Sequence, residues 1–386
     1  MTLYLQDGAV AGHAGWCEQA LGAGCATGVI ISPFFTPTVP RRYHTMTGTD
    51  FADRVRRAGG EVIFDATTHA VGLPAVDNWT SYNTWALWEG GRGDLTTDDL
   101  RLAHVDRVFA HQDALGTPRL TPSVALDSPN GADADTALAL AEMGRASDPT
   151  AWQTLAGRRG LWLSADLDAL TGVLVQSRAP VWMLTAIRER PEYPPDMTEI
   201  AITEAVCRTV HSLAARSRVI VCHADLFGLP MVAAGASSVG TGWHGKQRIC
   251  APATFQRNDP EDIRRQAVWH TFEALYSRLH ANESTALFRA DAPLGERLHR
   301  GPLDGGTQAR REHHLMVVRR SVERVAAAGA NPSDRVAALR AGYETAIAEF
   351  EALRSRFGRA FSTPRAQHLD GCYEALRAYA EAESIW

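Results

Sequence analysis

The feature that most constrains this chain is an alternation. Eight short apolar runs, at 3–6, 28–32, 61–65, 122–127, 161–164, 181–185, 218–222 and 237–240, are separated by helix-like segments at 15–21, 50–58, 97–115, 135–155, 166–176, 198–215 and 229–234. Strands that alternate with helices build a parallel sheet with helices on its faces. Several of the helical segments start at Asp, Thr or Ser and end at Gly, as helix caps do. Arg57-Ala58-Gly59-Gly60 running into Glu61-Val62-Ile63-Phe64-Asp65 is such a helix-to-strand return. Eight strands with seven intervening helices predict a (β/α)8 TIM-type barrel over residues 1–255. The alternative is a doubly wound open sheet, but no G-x-G-x-x-G follows the first strand.

After residue 255 the texture changes. Amphipathic patterns at 260–280, 309–328, 333–357 and 367–384 predict helices, and 285–308, broken by Pro and Gly, reads as a loop. Residues 256–386 are therefore expected to form an all-helical C-terminal extension, packed on the barrel or on a partner.

Composition narrows the setting. A net charge of −5 and pI near 6.3 argue against a globally basic nucleic-acid binder. No run approaches the ~20 apolar residues of a membrane span, and MTLYLQDGAVAGHAG lacks the basic and apolar regions of a secretory signal. Cys17, Cys25, Cys207, Cys222, Cys250 and Cys372 include no C-x-x-C pair, so they are expected to be reduced thiols in a cytoplasmic protein rather than a zinc site.

The barrel reading selects candidates, because such barrels place chemistry at the C-terminal ends of their strands. Those ends lead to Gln6-Asp7, Asp65, Asp127, Asp166, Arg188, the Cys222-His223-Ala224-Asp225 turn and the Trp243-His244-Gly245-Lys246-Gln247-Arg248 segment. Asp65, His223, Asp225 and Asp127 are the catalytic candidates. On a continuing strand His223 and Asp225 would share a face, as a general base and its orienting group do. Helix capping is the plain alternative for Asp127 and Asp166. Arg41, Arg42, Arg188, Trp243, His244, Lys246 and Arg248 are the substrate-binding candidates. Arginine forks grip phosphate or carboxylate, and Gly240-Thr241-Gly242 has the character of a final-strand phosphate turn. Lys246 is the only lysine among 39 Lys and Arg residues. Codon bias is one explanation of that isolation; the other is an anion anchor, expected from its place after the eighth strand.

No cofactor motif is present. The alternative is a divalent ion held by His69, His223, His244, Asp65 and Asp225. Trp79, Tyr82, Trp85 and Trp88 crowd the loop after strand three, as a lid or as a hydrophobic patch beneath the C-terminal helices.

MVAAGASSVGTGWHGKQR, with aspartates ending earlier strands, resembles the last barrel segment of the tRNA-guanine transglycosylase superfamily. That resemblance implies a (β/α)8 barrel that exchanges a guanine-type base, with Asp65 and Asp127 where the family's base-binding aspartates lie. The family's nucleophilic aspartate and its cysteine-rich zinc motif have no match here. The expected function is an enzyme acting on a small planar, anionic or phosphorylated molecule, such as a nucleotide or nucleobase, by acid–base or nucleophilic chemistry. Base exchange on nucleic acid is one alternative. A non-catalytic barrel subunit, assembling with itself or another chain through the helical extension, is the other.

Overall fold

Eight parallel strands form one sheet: β1 (Thr2–Gln6), β2 (Gly28–Ile31), β3 (Glu61–Phe64), β4 (Ala125–Leu126), β5 (Gln153–Gly157), β6 (Val181–Ala186), β7 (Arg218–Cys222) and β8 (Ser238–Thr241). The structure, a computed structural model, describes residues 2–9, 12–40, 46–192, 195, 197, 199–257, 268–303, 305–358, 361 and 369–386. The strand order is β3-β2-β1-β8-β7-β6-β5-β4, so β1 pairs with β8 as a barrel requires. Among the described residues no ladder joins β3 to β4.

Around the sheet lie α1 (His13–Gly22), α2 (Gly48–Arg57), α3 (Thr68–Val71), α4 (Trp79–Tyr82), α5 (Asp98–Leu115), α6 (Ala132–Ser147), α7 (Arg159–Trp162), α8 (Leu167–Gln176), α9 (Ile200–Ala214), α10 (Leu229–Ala233) and α11 (Gly245–Arg248). Side chains alternate across each strand. Tyr4, Ile30, Ile63, Met183, Ile220 and Cys222 therefore meet in one cluster inside the barrel. Leu3, Leu5, Val29, Val62, Phe64, Leu184, Val219 and Val221 face the helices in another.

The seam between β3 and β4 is closed by one side chain. Gln112 of α5 is 0% exposed. Its Nε2 donates to Phe64 O at the end of β3 (3.1 Å) and to Leu120 O ahead of β4 (2.9 Å), while its Oε1 accepts from Leu120 N (2.9 Å). The carboxamide thus substitutes for a missing rung. Pro122 explains why β4 is short, since proline cannot donate to a ladder. Among the described residues, only Leu120 before it, bridged to Trp152, and Ala125–Leu126 after it pair with the β5 side.

Two sequence expectations fail here. The fifth strand is Gln153–Gly157, not 161–164, and the helix expected over 135–155 ends at Ser147. Strand β5 reads QTLAG and buries polar groups with partners: Gln153 Nε2 and Thr154 Oγ1 donate to Thr121 (3.1 and 2.8 Å). The apolar run at Leu161-Trp162 belongs to α7, and the Trp162 indole donates to Gly157 O (2.9 Å).

The chain after β8 is not all helical. The expected helix at 260–280, in so far as it falls on described residues, is an antiparallel hairpin of β9 (Trp269–Phe272) and β10 (Ser277–His280). Trp, Thr and Phe favour a strand there, and Tyr276 turns the chain in the left-handed region at φ 47°. Residues read as a loop form α12 (Ala281–Ala290) and α13 (Ala292–His299). Pro293 sits in the first turn of α13, where proline is tolerated, and Asp291 caps it by accepting from Leu294 N (3.0 Å). Then follow α14 (Thr307–Ala327), α15 (Pro332–Phe357) and α16 (Asp370–Ala382). Leu315, Val322, Tyr343 and Leu376 join the same apolar cluster as Val206 and Met231 of the barrel helices. The Tyr379 hydroxyl meets His211 Nδ1 at 2.6 Å.

The seam makes a stability prediction. Gln112→Leu keeps approximate volume but strips three backbone groups of a buried partner, at roughly 1–3 kcal/mol each. Urea unfolding followed by circular dichroism is expected to show a loss on the order of 3 kcal/mol or more. An unchanged midpoint would mean that the seam holds without the amide.

Candidate active site at the strand ends

Counting by two from the inner residues brings Gln6, Ser32, Asp65 and Thr185 to the top of the barrel beside Cys222, which pairs with Thr185 across β6 and β7. The Cys222 thiol is pushed up to about 12 by burial, with the Asp65 carboxylate adding to the effect. Burial, Asp65 and Cys222 raise the Cys250 thiol in the same way. These thiols are protonated at neutral pH and are poor nucleophiles.

Asp65 accepts from Thr67 N (2.7 Å) in a turn where Thr67 lies at φ 52°. Ser32 and Thr67 share a hydroxyl hydrogen bond (2.9 Å) that joins the ends of β2 and β3. This turn starts α3 and carries His69 inward. His69 is 2% exposed, and neither ring nitrogen has a hydrogen-bond partner. Burial lowers its pKa, and the neighbouring Asp65 carboxylate opposes that shift.

Strand β7 stops at Cys222. His223 and Asp225 both take left-handed backbone, at φ 53° and 47°, so they do not share a strand face and do not form the expected dyad. His223 Nδ1 faces Gln247 O (2.9 Å) and must donate to it, which leaves Nε2 as the acceptor. Burial brings the His223 pKa down to about 4; the Gln247 bond opposes this and the nearby His69 adds to it. Asp225 is 0% exposed and turns away from the mouth. Its Oδ1 accepts from Leu226 N (2.6 Å), and its Oδ2 lies 3.1 Å from His314 Nε2 and 3.3 Å from Arg248 Nε.

The other expected residues scatter. Arg248 is buried and donates to Gly242 O (2.7 Å), so its guanidinium is committed to the protein. Asp127 is an exposed turn residue, 3.9 Å from Arg158 Nε. Trp243 is buried edge-on against Trp16 at 5.2 Å. His244 Nε2 accepts from Arg311 (2.7 Å). Lys246 is exposed on α11, and Arg188 donates its backbone N–H to Cys250 O (2.8 Å). Arg41 and Arg42 lie outside the described residues. Among the described residues no three His, Cys, Asp or Glu side chains are placed to hold a metal. The tryptophan-rich loop packs as core. Trp85 Nε1 donates to Thr36 O (2.8 Å), and Tyr82 meets Phe34 at 4.6 Å. A groove of about 520 Å³ lined by Thr171, Val175 and Arg208 lies on the outer helices, apart from these groups.

Asp7 fastens the rim. It accepts from Thr36 Oγ1 (2.7 Å), Ser32 N (3.2 Å) and Gly8 N (2.8 Å), and it lies 3.4 Å from His13 Nε2. Burial raises Asp7 to about 7 against the pull of those three bonds, and burial lowers His13 to about 4. His13, His314 and Arg311 escaped the sequence reading, since none of them lies at a strand end; Thr67 follows the end of β3 but was not among the candidates.

No protein-family model matches the chain, and no curated protein sequence matches it. Among solved structures it is similar to a probable tagatose 6 phosphate kinase from Sinorhizobium meliloti 1021 (14% identity, 100% of this chain and 98% of that one, TM-score 0.35). It is also similar to a D-allulose 3-epimerase from Methylomonas sp. (11%, 83% and 98%, TM-score 0.36) and to xylanase10C from Cellvibrio japonicus (12%, 82% and 70%, TM-score 0.38). At such scores these likenesses carry nothing about chemistry, and none supports the transglycosylase resemblance. Strand order and register define the class: an eight-stranded parallel α/β barrel, with ionisable side chains gathered at its strand ends.

The buried histidines set a pH dependence. Burial is the leading cause that lowers His104, His223 and His314 to about 4 from an ordinary value of 6.5. The native state therefore binds fewer protons than the unfolded chain between these values. Their contribution to stability is complete above pH 6.5 and is lost as pH falls through about 4. Asp7 acts in the opposite sense: its contribution is complete below the ordinary carboxylate range and is lost as pH rises to about 7. Three histidines outweigh one carboxyl, so the urea midpoint is expected to fall between pH 6.5 and 4.5, and His104→Gln to flatten that fall. A midpoint independent of pH over this range would contradict the burial of these rings in neutral form.

Proposed function

We propose that the protein is a barrel enzyme that carries out acid–base chemistry on a small polar molecule at the C-terminal mouth of its strands, with Asp65, His69 and His223 as the working groups. The observation that carries this reading is His69, an enclosed imidazole with both nitrogens unpartnered beside a carboxylate and a second imidazole. Leaving a buried polar group without a partner costs about 1–3 kcal/mol, and a ligand that supplies the partner accounts for tolerating it. His223 is neutral near pH 7 and keeps Nε2 available to accept a proton. Asp65 offers the negative charge that favours an imidazolium or steadies a positive centre on the substrate. The left-handed residues Thr67 and His223 flank the same mouth, and strain of this kind concentrates at functional sites.

A phosphorylated or otherwise anionic substrate has weaker support. Arg248, one of the expected anion holders, is bound to Asp225 and to backbone carbonyls. Lys246 is exposed at the rim.

Native mass spectrometry of the purified protein, followed by assays with phosphosugars, nucleosides and free nucleobases, identifies the substrate. Asp65→Asn and His223→Gln are then expected to lower its turnover by roughly 10²–10⁴-fold, the range for loss of a positioned acid or base. Lys246→Arg should leave turnover nearly unchanged. Full turnover in both the Asn and the Gln variants would overturn the reading.

A further inference from the structure

We propose that His314, far along the chain on α14, is a positioning residue for the site. It holds the strained end of β7 and thereby orients His223, so the C-terminal helices complete the barrel mouth. This rests on the reading of that mouth as the active site.

The reasoning starts from strain. His223 and Asp225 are two non-glycine residues in left-handed backbone within one turn. Each such residue costs about 1–3 kcal/mol and persists only where its surroundings over-determine it. Besides the bond from His223 Nδ1 to Gln247 O, the restraints fall on Asp225 and Ala224. Ala224 N donates to Gly240 O of β8 (2.8 Å). The Asp225 carboxylate is gripped by Leu226 N, Arg248 Nε and His314 Nε2. His314 Nδ1 in turn lies 2.8 Å from Thr271 Oγ1 on β9.

That chain of bonds sets the proton positions. A carboxylate accepts only, so His314 Nε2 carries the hydrogen and Nδ1 accepts from the Thr271 hydroxyl. A hydroxyl on the hairpin thus fixes an imidazole on α14, which fixes a carboxylate two residues from His223. Helix α14 makes a second contact with the same rim. Arg311 donates to His244 Nε2 (2.7 Å), and its guanidinium lies 4.3 Å over the Trp16 ring. His314 touches none of Asp65, His69 or His223 through these bonds; it acts through Asp225.

The test reads His223 directly and uses no substrate. The full chain is labelled with ¹⁵N-histidine, and long-range ¹H–¹⁵N spectra follow the ring nitrogens with pH. In the wild type His223 is expected as the Nδ1–H tautomer with a midpoint near 4. His314→Leu removes the donor to Asp225, and the His223 midpoint is expected to move up towards the ordinary ~6.5 with mixed tautomer signals. His314→Gln, which can donate to Asp225 and accept from Thr271, should restore the wild-type signature. His104, buried elsewhere between Thr68 Oγ1 and Leu87 O, should keep its signals throughout and so report an intact fold. Unchanged His223 signals in a folded His314→Leu protein would overturn the proposal. If that variant does not fold, Thr271→Val decides: a smaller shift of His223 in the same direction supports the proposal, and no shift refutes it. Failure here is distinct from failure of the acid–base reading, which would show as turnover retained without His223.

Discussion

The whole arrangement depends on closing a sheet that does not close itself. A parallel sheet with two open edges would expose unpaired N–H and C=O groups to the helices that wrap it, and buried backbone must find partners. Pro122 denies β4 one donor of a full ladder, and among the described residues the sheet runs out at β3 on one side and β4 on the other. The carboxamide of Gln112 spans that gap because it carries donor and acceptor together, as a peptide group does. With the seam held, the ends of β3 and β7 sit around one mouth, where Asp65 comes within electrostatic reach of His69, and His69 of His223.

Enclosure then decides the electrostatics of that mouth. Desolvation is the leading influence on His69, His223, Cys222 and Asp7, and in each case it favours the uncharged form. Asp225, also buried, is met by the Arg248 guanidinium at 3.3 Å, by Leu226 N and by His314 Nε2. The mouth therefore holds neutral imidazoles and thiols near the Asp65 carboxyl, while Arg248 is drawn into structural bonds behind it. Such a setting suits proton transfer better than charge neutralisation.

Much of this was legible in the sequence, for reasons that particular residues make plain. Seven of the eight strands were readable because apolar, largely β-branched runs such as Val62-Ile63-Phe64 and Val219-Ile220-Val221 are buried on both faces. Strand β5 was hidden because its Gln153 and Thr154 look like surface residues, yet their hydrogen bonds lie within the sheet. The hairpin of β9 and β10 was hidden because a short stretch of Trp, His, Thr and Phe satisfies either period. At the site, the strand ends brought Asp65 and His223 forward as candidates, and the fold sets both beside His69. They misled at Asp225 and Arg248, because a sequence does not show which side of a turn a charge faces. His314 lay beyond reach, since only tertiary packing brings α14 to the end of β7.

The placement of Lys246 has a practical corollary. The chain's one lysine is exposed on the short helix that follows β8, two residues from His244 and two from the buried Arg248. Side-chain amine chemistry on this protein is thus confined to a single address at the rim of the barrel. An acyl or fluorescent group coupled there would sit at the entrance to the strand ends, reporting on whatever enters, while the 38 remaining cationic side chains, all guanidinium, stay unmarked.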